Sequence, residues 1–271
     1  MAYPTIDAPY GFKPVNLIGG QVFAGSTRNL PIAYNYNTNI FYGDFVQITS
    51  GYVTLLANTI AGAAAVGVFL GCYYTNPTTK QRLFSQYYPA NTLAGDITAI
   101  VCDDPDTVFK TAVVTAAATP TISSATSILV GQNLAGNTTT GSVATGNSAG
   151  GVVGASASSG NFRILGLVPD TQVVYGATYV SGGAPAATAV VVSGLTVGQV
   201  LPIGTDVFNV VNGQLQFTGA TLSSAVTVSS ATSQSLTVTS IGTQVAGSVA
   251  LVQTPEVLVK ITFGSHRYYV A

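Results

Sequence analysis

The sequence predicts an all-β protein: a β-barrel or β-sandwich core domain with a second, small β-sandwich-like domain inserted into it. Three observations carry that expectation. Long-chain helix formers are scarce, with one Glu, four Lys and one Met in 271 residues, although such residues favour helices. Val, Thr, Ile, Tyr and Phe, which suit a pleated and half-buried surface, are abundant. Thirty Gly and twelve Pro supply turns. The hydrophobic fraction of 47% is that of a globular chain and argues against disorder.

Residues 1–50 open with a Pro/Tyr/Gly-rich arm, Pro9-Tyr10-Gly11-Phe12-Lys13-Pro14, and prolines at 4, 9, 14 and 31 argue against a long helix. Two readings stay open: an extended arm that lies on a neighbour, or edge strands of its own domain. Phe45–Ile48 and Tyr52–Leu55 flank Thr49-Ser50-Gly51 and read as a hairpin. Strands follow at 66–74, 97–102 and 107–114. Residues 75–95 read as a long surface loop with at most one short strand. The uncharged stretch 115–160 reads as short strands and long turns, with Ile128-Leu129-Val130 and Val152-Val153 as core residues. A strand over 161–168 ends at Pro169-Asp170.

From 171 to 254 short strands recur at 188–193, 197–202, 206–211, 214–218, 225–228, 235–240 and 247–252. Asn212-Gly213 between alternating apolar residues is a strong hairpin signal. In 256–263 Val257, Val259, Ile261 and Phe263 share one face, and the other face is polar except for Leu258. Gly264-Ser265 then turns the chain into 266–270. Charges and tyrosines return here. The expected division is therefore 1–170 with 255–271 as one β domain, and 171–254 as an insertion with its own core.

Charge limits the function classes. Only 6% of residues are charged, against about a quarter in ordinary domains. Between 111 and 255 the charges are Arg163, Asp170 and Asp206, three in 145 positions, and the other 126 residues hold the remaining 14 of 17. With net charge −1 and no basic block, nucleic-acid binding is a poor fit. The most apolar run, Leu55 to Gly71, is interrupted by Asn58, Thr59, Gly62 and Gly67, so no membrane span is expected. No signal peptide is legible at the start.

Cys72 and Cys102 each end an apolar run and read as buried free thiols on strands, a bridge between neighbouring strands being the alternative. Synthesis in a reducing cytoplasm is expected. One histidine, His266, lacks an obvious catalytic partner. Asp103-Asp104-Pro105-Asp106 reads as an acidic turn, with Ca²⁺ binding as the alternative. No phosphate loop, metal-spaced His/Cys set or nucleophile elbow occurs. The chain is expected to be no enzyme and to need no cofactor.

Several strings resemble small structural proteins of marine and cyanobacterial tailed phages. They are Pro9–Val15, Gly25–Arg28, Asn39–Asp44, Gly67–Cys72, Ala99–Pro105, Arg163–Gly166 and Val257–Ile261. Such proteins look like head decoration (cement) proteins. The resemblance implies a virion protein made in the host cytoplasm and bound to the capsid exterior, with the major capsid protein and further copies of itself, as a trimer, for partners. It does not extend over 171–254. A fibre that recognises host surfaces is the competing expectation. Tyr10, Phe12, Lys13, Phe23 and Arg28 of the arm are the expected attachment residues, because proline pre-orders an extended chain and lowers the entropy lost on docking.

Overall fold

The computed structural model describes residues 6, 8–56, 65–139, 141–156 and 160–262. Strands dominate it, and its helical content is limited to two short 3-10 turns. The chain divides into two compact units. The larger takes in 8–121, 129–166 and 257–262; the smaller takes in Ile6, Ile122–Ile128 and Leu167–Glu256.

The larger unit begins with β1 (Phe12–Leu17) and β2 (Arg28–Pro31), then the hairpin β3 (Phe45–Thr49) and β4 (Tyr52–Leu55). Next come β5 (Gly67–Thr75), β6 (Arg82–Ser85), β7 (Thr98–Cys102), β8 (Thr107–Val114), β9 (Asn133–Asn137), β10 (Gly151–Ser156) and β11 (Phe162–Leu167). One sheet runs β2-β7-β5-β3-β4 with β6 on β5. The core packed on it includes Val46, Val53, Phe69, Cys72 and Val101 of its strands together with Tyr88. The β3–β4 turn is tighter than the sequence suggested: Thr49 pairs with Tyr52, leaving a two-residue loop. Ser50 (φ 52°) and Gly51 (φ 85°) both take the left-handed region, as the twist of such hairpins requires.

The smaller unit holds β12 (Val173–Gly182), β13 (Ala189–Ser193), β14 (Val200–Leu201), β15 (Asp206–Val211), β16 (Gln214–Thr221), β17 (Val226–Thr227), β18 (Gln234–Thr237) and β19 (Ser248–Gln253). Six of these form one sheet, β16-β15-β19-β12-β13-β18, and β14 pairs with β17. Alternate residues of the sheet, among them Val190, Val192, Val207, Val249 and Leu251, build one core with Leu201, Leu222 and Ile241. Full burial of each such aliphatic chain contributes about 1.5–3 kcal/mol. Residues 122–128 belong to this unit through the backbone. Ser124 N–H donates to Ile203 O (3.1 Å), Ala125 N–H to Thr254 O (2.9 Å), and Thr254 N–H to Ser124 Oγ (2.8 Å). Val168 N–H donates to Glu256 O (3.1 Å), so the outgoing and returning chains run side by side.

The final described strand, β20 (Glu256–Ile261), returns to the larger unit. It pairs with both β11 and β8 and closes the ring β8-β10-β9-β11-β20, a five-strand barrel with β1 added on β8. Inside the larger unit Phe12 stacks on Phe162 (4.6 Å, 15°), and Phe45 meets both edge-on at 4.6 and 4.3 Å. One expectation needs correction. Ile128-Leu129-Val130 does not supply three core residues: it lies at a 3-10 turn in which only Leu129 is buried. The polar face of β20 carries Glu256 and Lys260, both buried. The Gly264-Ser265 turn, Phe263, His266 and the strand over 266–270 lie outside the described residues, as does 57–64 of the apolar run.

Candidate functional site

The expected attachment residues do not form one surface. Phe12 is fully buried in the aromatic cluster of the larger unit, so it is a core residue and no docking anchor. The physical reason is its strand. β1 pairs with β8 from Phe12↔Thr111 to Leu17↔Thr107, which turns Phe12 inward. The arm is thus tied to its own domain over this stretch. Leu17 N–H donates to Gln21 O (2.7 Å), and Asn16 bridges Val22, so 16–22 forms a small hairpin tip with Ile18 and Val22 exposed. Phe23 is half-buried beside it, its N–H donating to Val15 O (3.4 Å).

Lys13 Nζ sits 4.5 Å from the centre of the Tyr10 ring. Arg28 in β2 projects to solvent and holds Asp103 Oδ2 at 2.9 Å. A further cation, Arg82, lies 4.3 Å from the centre of the Tyr73 ring. These guanidinium and ammonium groups therefore already have intramolecular partners.

The acidic stretch 103–106 is the turn between β7 and β8. Asp104 Oδ1 accepts from Asp106 N–H (2.9 Å), and Asp104 O accepts from Thr107 N–H (3.1 Å). Asp103 faces Arg28, and Asp106 lies 3.9 Å from Lys260 Nζ. Its carboxylates thus point to separate partners, and no His/Cys/Asp/Glu group suited to a metal occurs among the described residues.

Cys72 and Cys102 are free and buried, as the apolar runs around them imply. Burial pushes the Cys72 thiol up to about 12 and Cys102 to about 11. Neither has the thiolate character that nucleophilic cysteines need. A cavity lined by Phe45, Leu56, Gly136, Thr138, Asn161 and Phe162 has a volume of about 10 Å³, room for at most one water.

Two groups that the sequence reading passed over are the buried carboxyls of Asp44 and Asp206. Asp44 Oδ2 accepts from Phe41 N–H (2.7 Å), and Asp206 Oδ2 accepts from Ser127 N–H (3.1 Å). Oδ1 of each is buried without a hydrogen bond. Burial outweighs the single-sided bonding and pushes Asp44 to about 6 and Asp206 to about 7. The available signal was context: Asp44 precedes Phe45-Val46, and Asp206 is the lone charge between Asp170 and Glu256.

No protein-family model, curated protein or solved structure matches this chain. Among the exposed apolar side chains are Val22, Phe84 and Leu215.

Proposed function

We propose that this chain is a virion structural protein that binds the outer surface of a tailed-phage capsid and reinforces it. One observation carries the reading. Every string that resembles phage head proteins falls in the larger unit: Pro9–Val15 on β1, Gly67–Cys72 on β5, Ala99–Pro105 on β7 and its turn, Arg163–Gly166 on β11 and Val257–Ile261 on β20. The larger unit is therefore the proposed docking domain, with the major capsid protein as its partner. The proposed role of 171–254 is an outward insertion, and copies of the chain associate with one another, as trimers in the proposal. Composition supports a non-catalytic role, since nine acidic residues, three of them in one turn, leave little for acid–base work. A fibre that recognises host surfaces is less favoured, because β20 returns to the larger unit.

In this reading attachment rests on apolar burial and neutral hydrogen bonds. Lys13, Arg28 and Arg82 are engaged within the chain, and few charges remain for a salt-sensitive interface. Co-sedimentation with capsid shells that lack the protein tests this. The bound fraction should stay constant from about 0.05 M to about 1 M NaCl, although the Debye length falls to about 3 Å. Release of most of the protein by about 0.5 M would replace the reading with docking of Lys13, Arg28, Lys80 and Arg82 on an acidic shell.

A further inference from the structure

The six-stranded sheet of the smaller unit ends at β16, whose one strand partner is β15. The far half of its outer edge is covered. Thr218 O accepts from Gly242 and Thr243 N–H (2.9 Å each), and Thr221 O accepts from Thr239 N–H (2.8 Å). Among the described residues the near half, from the turn at Gly213 to Phe217, has no such cover. Gln214, Leu215 and Gln216 are exposed, and Phe217 is half-buried.

Alternation fixes what this half presents. Val211 pairs with Gln214 across the two-residue turn, which makes it a hydrogen-bonded pair. Leu215 opposite Val210 and Phe217 opposite Phe208 are then the positions whose N–H and C=O turn away from β15. Natural edges are usually protected by Lys, Pro, a bulge or a cover. Here Gln214-Leu215-Gln216-Phe217 has no charge and no Pro, and the register shift of β15 comes later, between Asp206 and Phe208.

We infer that two copies of this chain join through the open edge of β16, antiparallel about a two-fold axis at Leu215. The free stretch 213–217 is centred on that residue, so a second copy fills it without reaching the covered half. Leu215 then exchanges two backbone hydrogen bonds with Leu215 of the second copy. Gln214 lies opposite the second copy's Gln216 and the reverse, and neutral amides both donate and accept. On the other face Leu215 meets its symmetry equivalent, and Val210, Phe208 and Phe217 extend the apolar strip on either side of it, with Phe208 and Phe217 already 5.2 Å apart. A second copy is favoured over another strand because this edge matches itself in register, polarity and charge, with no like charges to oppose pairing. The contact is small and belongs to the weak class. It becomes effective where neighbours are held at about millimolar effective concentration, as in an array. The inference stands apart from the capsid reading: the pairing holds or fails whatever the chain docks on.

Cysteine cross-linking of the full chain reads the register directly. A hydrogen-bonded pair holds its Cα atoms about 5.5 Å apart, within disulfide reach. A Gln216 pair is offset by two residues, about 8 Å apart, and is out of reach. Cys72 and Cys102 are buried and stay silent. At about 1 mM protein under mild oxidation, Leu215→Cys should form disulfide dimers about tenfold or more faster than Gln216→Cys. Leu215→Lys, at a half-exposed and tolerant position, should weaken self-association by sedimentation about tenfold or more. Absence of cross-linking in both cysteine variants, equal rates, or faster linking of Gln216→Cys overturns the pairing, as does unchanged association of Leu215→Lys.

Discussion

The buried carboxyls of Asp44 and Asp206 make stability depend on pH in an unusual direction. Each has a folded-state value raised above the ordinary 3.8, to about 6 and about 7. A raised value means that the fold prefers the protonated form. The stabilisation is complete below about 3.8 and is lost as pH rises through about 6 and about 7. For Asp44 the difference corresponds to about 3 kcal/mol, as an order of magnitude. Thermal unfolding should therefore give a higher Tm at pH 5 than at pH 8. Asp206→Asn, which keeps an oxygen to accept from Ser127 N–H, should raise Tm at pH 8 and flatten the profile. Wild-type protein that is equally or more stable at pH 8 would contradict the assignment. Phe12 gives a second residue-scale prediction. Phe12→Ala should cost about 3–5 kcal/mol by denaturant unfolding, because the ring lies between Phe45 and Phe162. A loss below about 1 kcal/mol would return Phe12 to the surface role first expected of it.

At the scale of elements, what was legible depended on how local the signal is. The Asn212-Gly213 hairpin formed as read, with both residues at positive φ, because two residues decide it. The Ser50-Gly51 turn uses the same geometry with a poorer first residue. Ser50→Asn should therefore stabilise the larger unit by a few tenths to about 1 kcal/mol, read as a raised Tm; a lowered Tm would show that the Ser50 hydroxyl matters more than the turn preference. Strand β12 was missed although it is ten residues long and lies inside its sheet. Val173, Val174, Tyr175, Ala177, Tyr179 and Val180 put apolar residues on both faces, which erases the alternation that marks a half-buried strand. Ile128-Leu129-Val130 failed for the opposite reason: an apolar triplet with two β-branched members can sit at a 3-10 turn when only one side chain is needed inside. The ring closure of β20 on β8 and β11 joins residues far apart in the chain, and no local pattern encodes it. The all-β class was legible because it rests on composition summed over the whole chain. The candidate surface was less so, since one strand register buried Phe12 and tied down the arm.

For the whole molecule, the proposed insertion makes a specific demand. Val168 and Glu256 are joined by a 3.1 Å backbone hydrogen bond, so replacing 169–255 with a short Gly/Ser bridge spans almost no distance. The remainder should keep a cooperative β unfolding transition, with 122–128 released because Ser124 and Ala125 lose Ile203 and Thr254. Loss of the cooperative transition would show that 171–254 is no insertion. The central claim is attachment to a capsid exterior, and a density map of assembled particles containing this chain tests it most directly. Density of the larger unit is expected on the outer shell, repeated with the shell's symmetry. Density at the tail or at a single vertex, or particles that lack the chain, would contradict it.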